Sequence, residues 1–168
     1  GEETGSFNSR PLTPGEIAMA VNNGLAVANI NSVEVLRRGF AGLKVAVNDG
    51  NIYIPDNNTI NFPWSEDYSV LSVQVSTVEQ AIFVHELVHI YQQRTWAWDD
   101  ARVGLESAQA GSDYCYGPFD PGKSYSDYNQ EEQAEMVSDR FLLNKGFSQR
   151  LVCNRSVSLQ QLDGVIDL

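Results

Sequence analysis

Residues 81–91 read Ala-Ile-Phe-Val-His-Glu-Leu-Val-His-Ile-Tyr, and this stretch decides how the rest of the chain is read. It is apolar almost all round, the pattern of a helix covered on every side. Ser76 and Thr77 precede it, with Glu79 and Gln80 three residues after each, so a helix start is signalled independently. Inside the run lies His85-Glu86-Leu87-Val88-His89. At about 100° per residue, His85 and His89 fall within about 40° of each other on one face. Two imidazoles so spaced can bind a single ion, and the donor type suits Zn2+. Glu86 falls to the side of that stripe, where a carboxylate reaches a water on the ion without being a ligand. This is the geometry of a zinc hydrolase, in which the ion lowers the water's pKa to about 7 and polarises the scissile carbonyl while the glutamate takes the proton. By residue usage the five-residue pattern arises by chance in roughly one chain in a few hundred. Here it interrupts an apolar run, where an unpaired Glu86 would be costly to bury.

The chain contains two histidines, His85 and His89. A third metal ligand must therefore be Asp, Glu or Cys, and a donor to the reaction's oxyanion must be Tyr, Arg, Asn or backbone. Acidic residues on a second helix are the natural source. That helix is predicted to start near Asp127, with Gln130 at its third position, and to stop at Lys145-Gly146. Glu131, Glu135 and Asp139 are spaced by four and share one face with Tyr128, spanning about 80°. Two registers fit. In the first, Glu131 binds the ion and Glu135 orients a histidine; in the second, Glu135 binds and Asp139 orients. The first is preferred, because Glu131-x-x-Ala134-Glu135 resembles the E-x-x-A-D pattern of several glutamate-type zincins. Taken alone the run would read as a solvated acidic face. Cys115 is the alternative ligand, although Asp113-Tyr114-Cys115-Tyr116-Gly117 looks like a short strand entering a turn. Tyr128, one turn before Glu131, is the candidate oxyanion donor, with Tyr125 and Arg140 as rivals and plain packing as the bland reading.

Outward from these helices the chain reads as one mixed α+β domain over residues 1–168, with 1–11 as a flexible lead-in. Thr13-Pro14-Gly15-Glu16 opens a short helix that ends at Asn23-Gly24. Leu25 to Arg38 is expected to be helical in its second half. Leu43–Val47, Asn51–Ile54 and Thr59–Phe62 read as strands of a small antiparallel sheet with hairpin connections, and Val70–Val75 as a further strand. Trp96 to Pro121 is irregular, and one more short helix follows Ser156. With 22 acidic residues against 11 basic, a net charge of −11, the chain lacks the basic face of a nucleic-acid or anionic-membrane binder. No apolar stretch is long enough to span a bilayer. The opening GEETGSF carries no leader signal, so the chain reads as mature, excised or cytosolic. Cys115 and Cys153 allow one disulfide or two buried thiols.

Three blocks carry a resemblance. Leu12-Thr13-Pro14-Gly15-Glu16-Ile17, Val84 to Gln93 and Asp127 to Glu135 together resemble the zinc metallopeptidase-like domains at the C-terminal ends of VgrG and Rhs-type secretion effectors. They occur in the expected order and cover roughly residues 12 to 147. The resemblance implies a zincin-like, gluzincin-type fold, with a small antiparallel sheet packed on the buried HExxH helix and a second, acidic, ligand-bearing helix. It implies one Zn2+ held by His85, His89 and Glu131, with Glu86 as base. It also implies a toxin domain delivered by a type VI or related apparatus, acting in the periplasm of a target cell, where a Cys115–Cys153 bond would fit. An immunity protein is then an expected partner, beside a peptide or protein substrate. This chain carries Glu132 where the group often shows glutamine, an extra acid beside the proposed ligand.

Two further readings stand beside an endopeptidase whose substrate lies along a sheet edge. One is a binding module that zinc staples without catalysis, which requires a closed site of four protein ligands. The other is a zinc amidase acting on cell-wall peptide, which the same chemistry would serve. Trp64, Trp96 and Trp98 are candidates to line a cleft or to sit in the core.

Overall fold

The computed structural model describes residues 9–37, 59–62, 67–95, 115–148 and 156–168. The first helix, α1 (Pro14–Asn22), starts as its sequence predicts. Thr13 Oγ1 accepts from the Glu16 amide, and the Glu16 carboxylate returns to the Thr13 amide at 2.9 Å. It stops at Gly24, whose φ of +78° allows the amides of Gly24 and Leu25 to reach back to Val21 and Ala20. Strand β1 (Ser9–Pro11) precedes α1, so residues 9–11 are part of a sheet and not of a loose lead-in.

The expectation of a helix before Arg38 is overturned. A single 3-10 turn, Ile30–Ser32, is followed by strand β2 (Glu34–Arg37). Val33 and Val35 are buried and Glu34 is exposed, an alternation of period two that suits a strand and not a helix. Strand β3 (Thr59–Phe62) falls where the sequence put one. The sheet order is β1-β2-β3, with β1 antiparallel to β2 and β2 parallel to β3 in the register Val35 to Ile60. The sheet is therefore mixed, not antiparallel throughout. A parallel pair needs a crossover of a dozen or more residues, and the chain between Arg37 and Thr59 is long enough to supply one. The expected strands Leu43–Val47 and Asn51–Ile54 lie outside the described residues, as do Trp64, Trp96 and Trp98. Residues 70–75 form bends, not a strand, and Val70, Leu71 and Val73 are exposed.

The central helix α2 (Thr77–Thr95) is capped by Ser76, whose hydroxyl accepts from the Glu79 amide. It is buried on all sides from Phe83 to Ile90, as the apolar run requires. It packs mainly against α3 (Gln130–Asn144), which also meets α4 (Leu159–Val165). Helix α3 starts two residues later than Asp127. Asn129 is the cap, in a reciprocal box with Glu132, while Asp127 closes a 3-10 turn, Tyr125–Asp127, begun by Ser124. At the other end Gly146 (φ +82°) lets the amides of Gly146 and Phe147 bond to Leu143 and Leu142. The core between these elements includes Tyr68 stacked on Phe83 at 4.9 Å, and Ser138 Oγ donating to the Ala81 carbonyl joins α3 to α2. No helix among the described residues is long and apolar enough to cross a membrane.

Glu16 ties β1, α1 and the segment entering α2 together. Besides capping its own helix, its buried carboxylate receives both Arg10 guanidinium nitrogens at 2.7 and 2.8 Å and the Tyr68 amide at 2.8 Å. Glu16→Ala removes the acceptor of four donors, two guanidinium nitrogens of Arg10 and the amides of Thr13 and Tyr68. It should cost about 3–5 kcal/mol in urea unfolding; a loss under about 1 kcal/mol would show that the carboxylate is not the anchor.

Candidate metal centre

Helix α3 is polar by composition, yet every residue from Gln130 to Asp139 is buried. It is not the solvated acidic face that the run alone would suggest. Its Glu131 and Glu135 lie against the two histidines of α2. His85 Nε2 and His89 Nε2 are 3.2 Å apart, and Glu131 Oε1 lies 2.5 Å from His89 Nε2 and 3.8 Å from His85 Nε2. Three donor atoms converge within 4.8 Å of one another, all buried. Bonds of 2.0–2.1 Å in tetrahedral geometry put ligand atoms about 3.4 Å apart, and the triangle's edges lie on either side of that spacing, so a small shift of Glu131 away from His89 would admit a zinc ion. The donor set of two neutral imidazoles and one carboxylate is the right chemistry for that ion.

The metal-free cluster is held by charge. Burial works against the imidazolium of His89, but the Glu131 carboxylate beside it, Glu86 and the Gln92 contact outweigh that and hold its pKa up at about 9. Glu131 is correspondingly driven well below the usual carboxylate range, burial being outweighed by His89 and His85. Glu86 is fully buried on α2 and close enough to act on His89 electrostatically. Glu135 places Oε2 3.6 Å from His85 Nδ1, the nitrogen turned away from the cluster. Asp139, one turn further, accepts from the Tyr116 hydroxyl at 2.5 Å. The geometry thus brings Glu131 to the histidines and leaves Glu135 behind His85.

Tyr128 is not on the helix face expected of it. It is the extended residue before the Asn129 cap, with Lys123 Nζ 4.2 Å above its ring and Phe119 edge-on at 6.4 Å. Burial raises the pKa of its phenol, a hydrogen bond with the Asp120 backbone works against the rise, and the charges of Glu132, Asp120 and Asp127 add to it, so the hydroxyl keeps its proton. Its rivals are engaged elsewhere: Tyr125 donates to the Gln133 carbonyl, and Arg140 to the Asn23 carbonyl and towards Asp163. Glu132, the unexpected acid, serves the Asn129 cap. Cys115 is disulfide-bonded and so is no thiolate ligand; the chain's other cysteine is Cys153.

Two residues were missed by the sequence reading. Gln92 Oε1 lies 2.9 Å from His89 Nδ1, and its amide nitrogen reaches the Gln130 carbonyl and Gln133 Oε1 at 3.1 and 3.0 Å. Gln133 in turn donates to the Tyr125 and Tyr128 carbonyls at 3.1 and 2.9 Å. The available signal was a glutamine three residues after His89 on a buried helix, where a long polar side chain needs a partner.

No family model matches the chain. The type VI secretion system spike protein VgrG2b of Pseudomonas aeruginosa is 33% identical to it over 90 residues, which is 49% of this chain and 8% of that protein. The chain therefore corresponds to a small part of that relative. Among solved structures, the effector domain of Pseudomonas aeruginosa VgrG2b superposes with a TM-score of 0.60 at 22% identity, covering 92% of this chain and 80% of that one. At that identity the likeness speaks for architecture: this chain has the fold of the VgrG2b effector domain.

Proposed function

We propose that this chain is a zinc metallopeptidase of the HExxH, gluzincin type, and a delivered antibacterial effector domain of the type VI secretion kind. The observation that carries the reading is the buried triangle of His85, His89 and Glu131 with Glu86 beside it. The fold shared with the VgrG2b effector domain supports the delivery part. The target-cell periplasm as site of action agrees with the disulfide at Cys115, since such bonds persist in oxidising compartments. An immunity protein and a peptide or protein substrate are the partners this reading requires.

In this reading His85, His89 and Glu131 hold one Zn2+, and a catalytic site of this kind keeps its fourth position for water or substrate. When bound, the ion supplies Lewis acidity, bringing a water's pKa to about 7 and polarising the scissile carbonyl. Glu86 accepts the proton of the attacking water and passes it to the leaving amine. Glu135 holds the His85 ring in orientation from behind. Tyr128, kept protonated, is the proposed donor to the oxyanion.

Two sets of measurements test these roles. Glu86→Gln should retain one zinc per chain by elemental analysis and lose hydrolysis of labelled casein by at least about 100-fold; retained turnover removes Glu86 as the base. Tyr128→Phe should lower kcat about 100-fold with zinc content unchanged, whereas an unchanged kcat assigns its ring to packing alone. The pKa of about 9 for His89 gives a pH dependence. At pH 7 the metal-free imidazole is protonated and must lose that proton to ligate, so zinc uptake should release close to one proton there. Apparent zinc affinity should climb about tenfold per pH unit from 7 towards 9 and then level off. Without metal the sign reverses: the stability from the raised His89 pKa is fully present below pH 6.5 and lost as pH rises through about 9. Calorimetry in buffers of different ionisation enthalpy reads the proton directly, and a pH-independent affinity would refute the assignment.

A further inference from the structure

Which ring nitrogen of His89 carries a proton is settled by groups that have no choice of polarity. The Tyr125 and Tyr128 carbonyls can only accept. Gln133, fully buried, faces both of them, so its NH2 end must point there and its Oε1 must point to Gln92. Gln92 therefore meets two acceptors at its far end, Gln133 Oε1 and the Gln130 carbonyl, and must offer them its own NH2. That leaves Gln92 Oε1 at 2.9 Å from His89 Nδ1. An oxygen in that place needs a donor. Reversing either amide would set oxygen against carbonyl oxygen in a buried site, with nothing to compensate.

We infer that Gln92 and Gln133 are positioning residues which pass the polarity of the Tyr125 and Tyr128 carbonyls to His89, keeping a proton on Nδ1 and the Nε2 lone pair for the metal. The inference rests on the metal-centre reading for its function, and on the hydrogen-bond chain alone for its geometry. It means that a ligand on α2 takes its tautomer from the backbone of the turn that leads into α3. The two ligand-bearing helices are thereby matched in orientation before an ion arrives.

Because the chain has two histidines, a long-range proton–nitrogen NMR spectrum of nitrogen-15-labelled protein contains two imidazoles. In the zinc-loaded protein, His89 should show a slowly exchanging Nδ1–H and a metal-shifted Nε2. Gln92→Met should lower zinc affinity about 10–100-fold and abolish the slow exchange, as loss of a partner behind a ligand does. Gln133→Met, which acts on His89 through Gln92, should shift both in the same direction by less. Coordination of His89 through Nδ1 in the unaltered protein overturns the inference, as does a folded Gln92→Met variant with unchanged affinity and spectrum. If Gln92→Met does not fold, the unaltered protein's spectrum decides. Should the unaltered protein take up no zinc, the metal-centre reading falls separately. The metal-free spectrum at pH 10 then decides: a proton on Nδ1 supports the chain of polarity, and one on Nε2 overturns it.

Discussion

Burying carboxylates without stranding them is the constraint on which this fold depends. Glu131, Glu132, Glu135 and Asp139 are all buried in α3, where an isolated charge would cost several kcal/mol. Each is answered differently. Glu131 is answered by His89, Glu132 by the amide of its own cap, Glu135 by proximity to His85, and Asp139 by the Tyr116 hydroxyl. A helix with such a composition gains nothing by packing unless the opposing surface offers donors in register. Between Ala81 and Tyr91 the remaining residues of α2 are apolar except Glu86, which makes its two imidazoles the natural place for the charge to go.

The parts of this architecture that depend on near neighbours were legible in the sequence. The α1 box of Thr13 and Glu16, the cap at Ser76, the glycine stops at Gly24 and Gly146, and the pairing of His85 with His89 all act over one helical turn. Where two local signals competed, the reading slipped. Ser124–Asp127 and Asn129–Glu132 are both reciprocal boxes, five residues apart, and the first belongs to a 3-10 turn rather than to α3. The stretch Val33-Glu34-Val35 has the alternation of a strand, but two buried valines are too few to establish a period against a helix.

What depended on distant partners was not legible. The parallel pairing of β2 with β3 requires a crossover whose course no local pattern records. Gln92 and Gln133 are ordinary helix residues until the 41-position gap between them is closed by packing. Tyr128 shares the spacing of the acidic face, but α3 starts only after the Asn129 cap, and periodicity does not extend past a cap. Polar side chains inside a buried helix are thus the residues whose roles a linear reading undervalues.

The reciprocal bonds between Asn129 and Glu132 acquire a second meaning from their location. They straddle Glu131 and mark the residue at which α3 begins. A slip of one residue at that point would turn Glu131 by about 100° about the helix axis, away from His89, and bring a neighbour into its place. An unremarkable cap thus works as an index pin, setting which acid of a crowded acidic run faces the histidines. Glu132, an apparent excess of negative charge, is the residue whose cap bonds fix the start of the helix that turns Glu131 towards them.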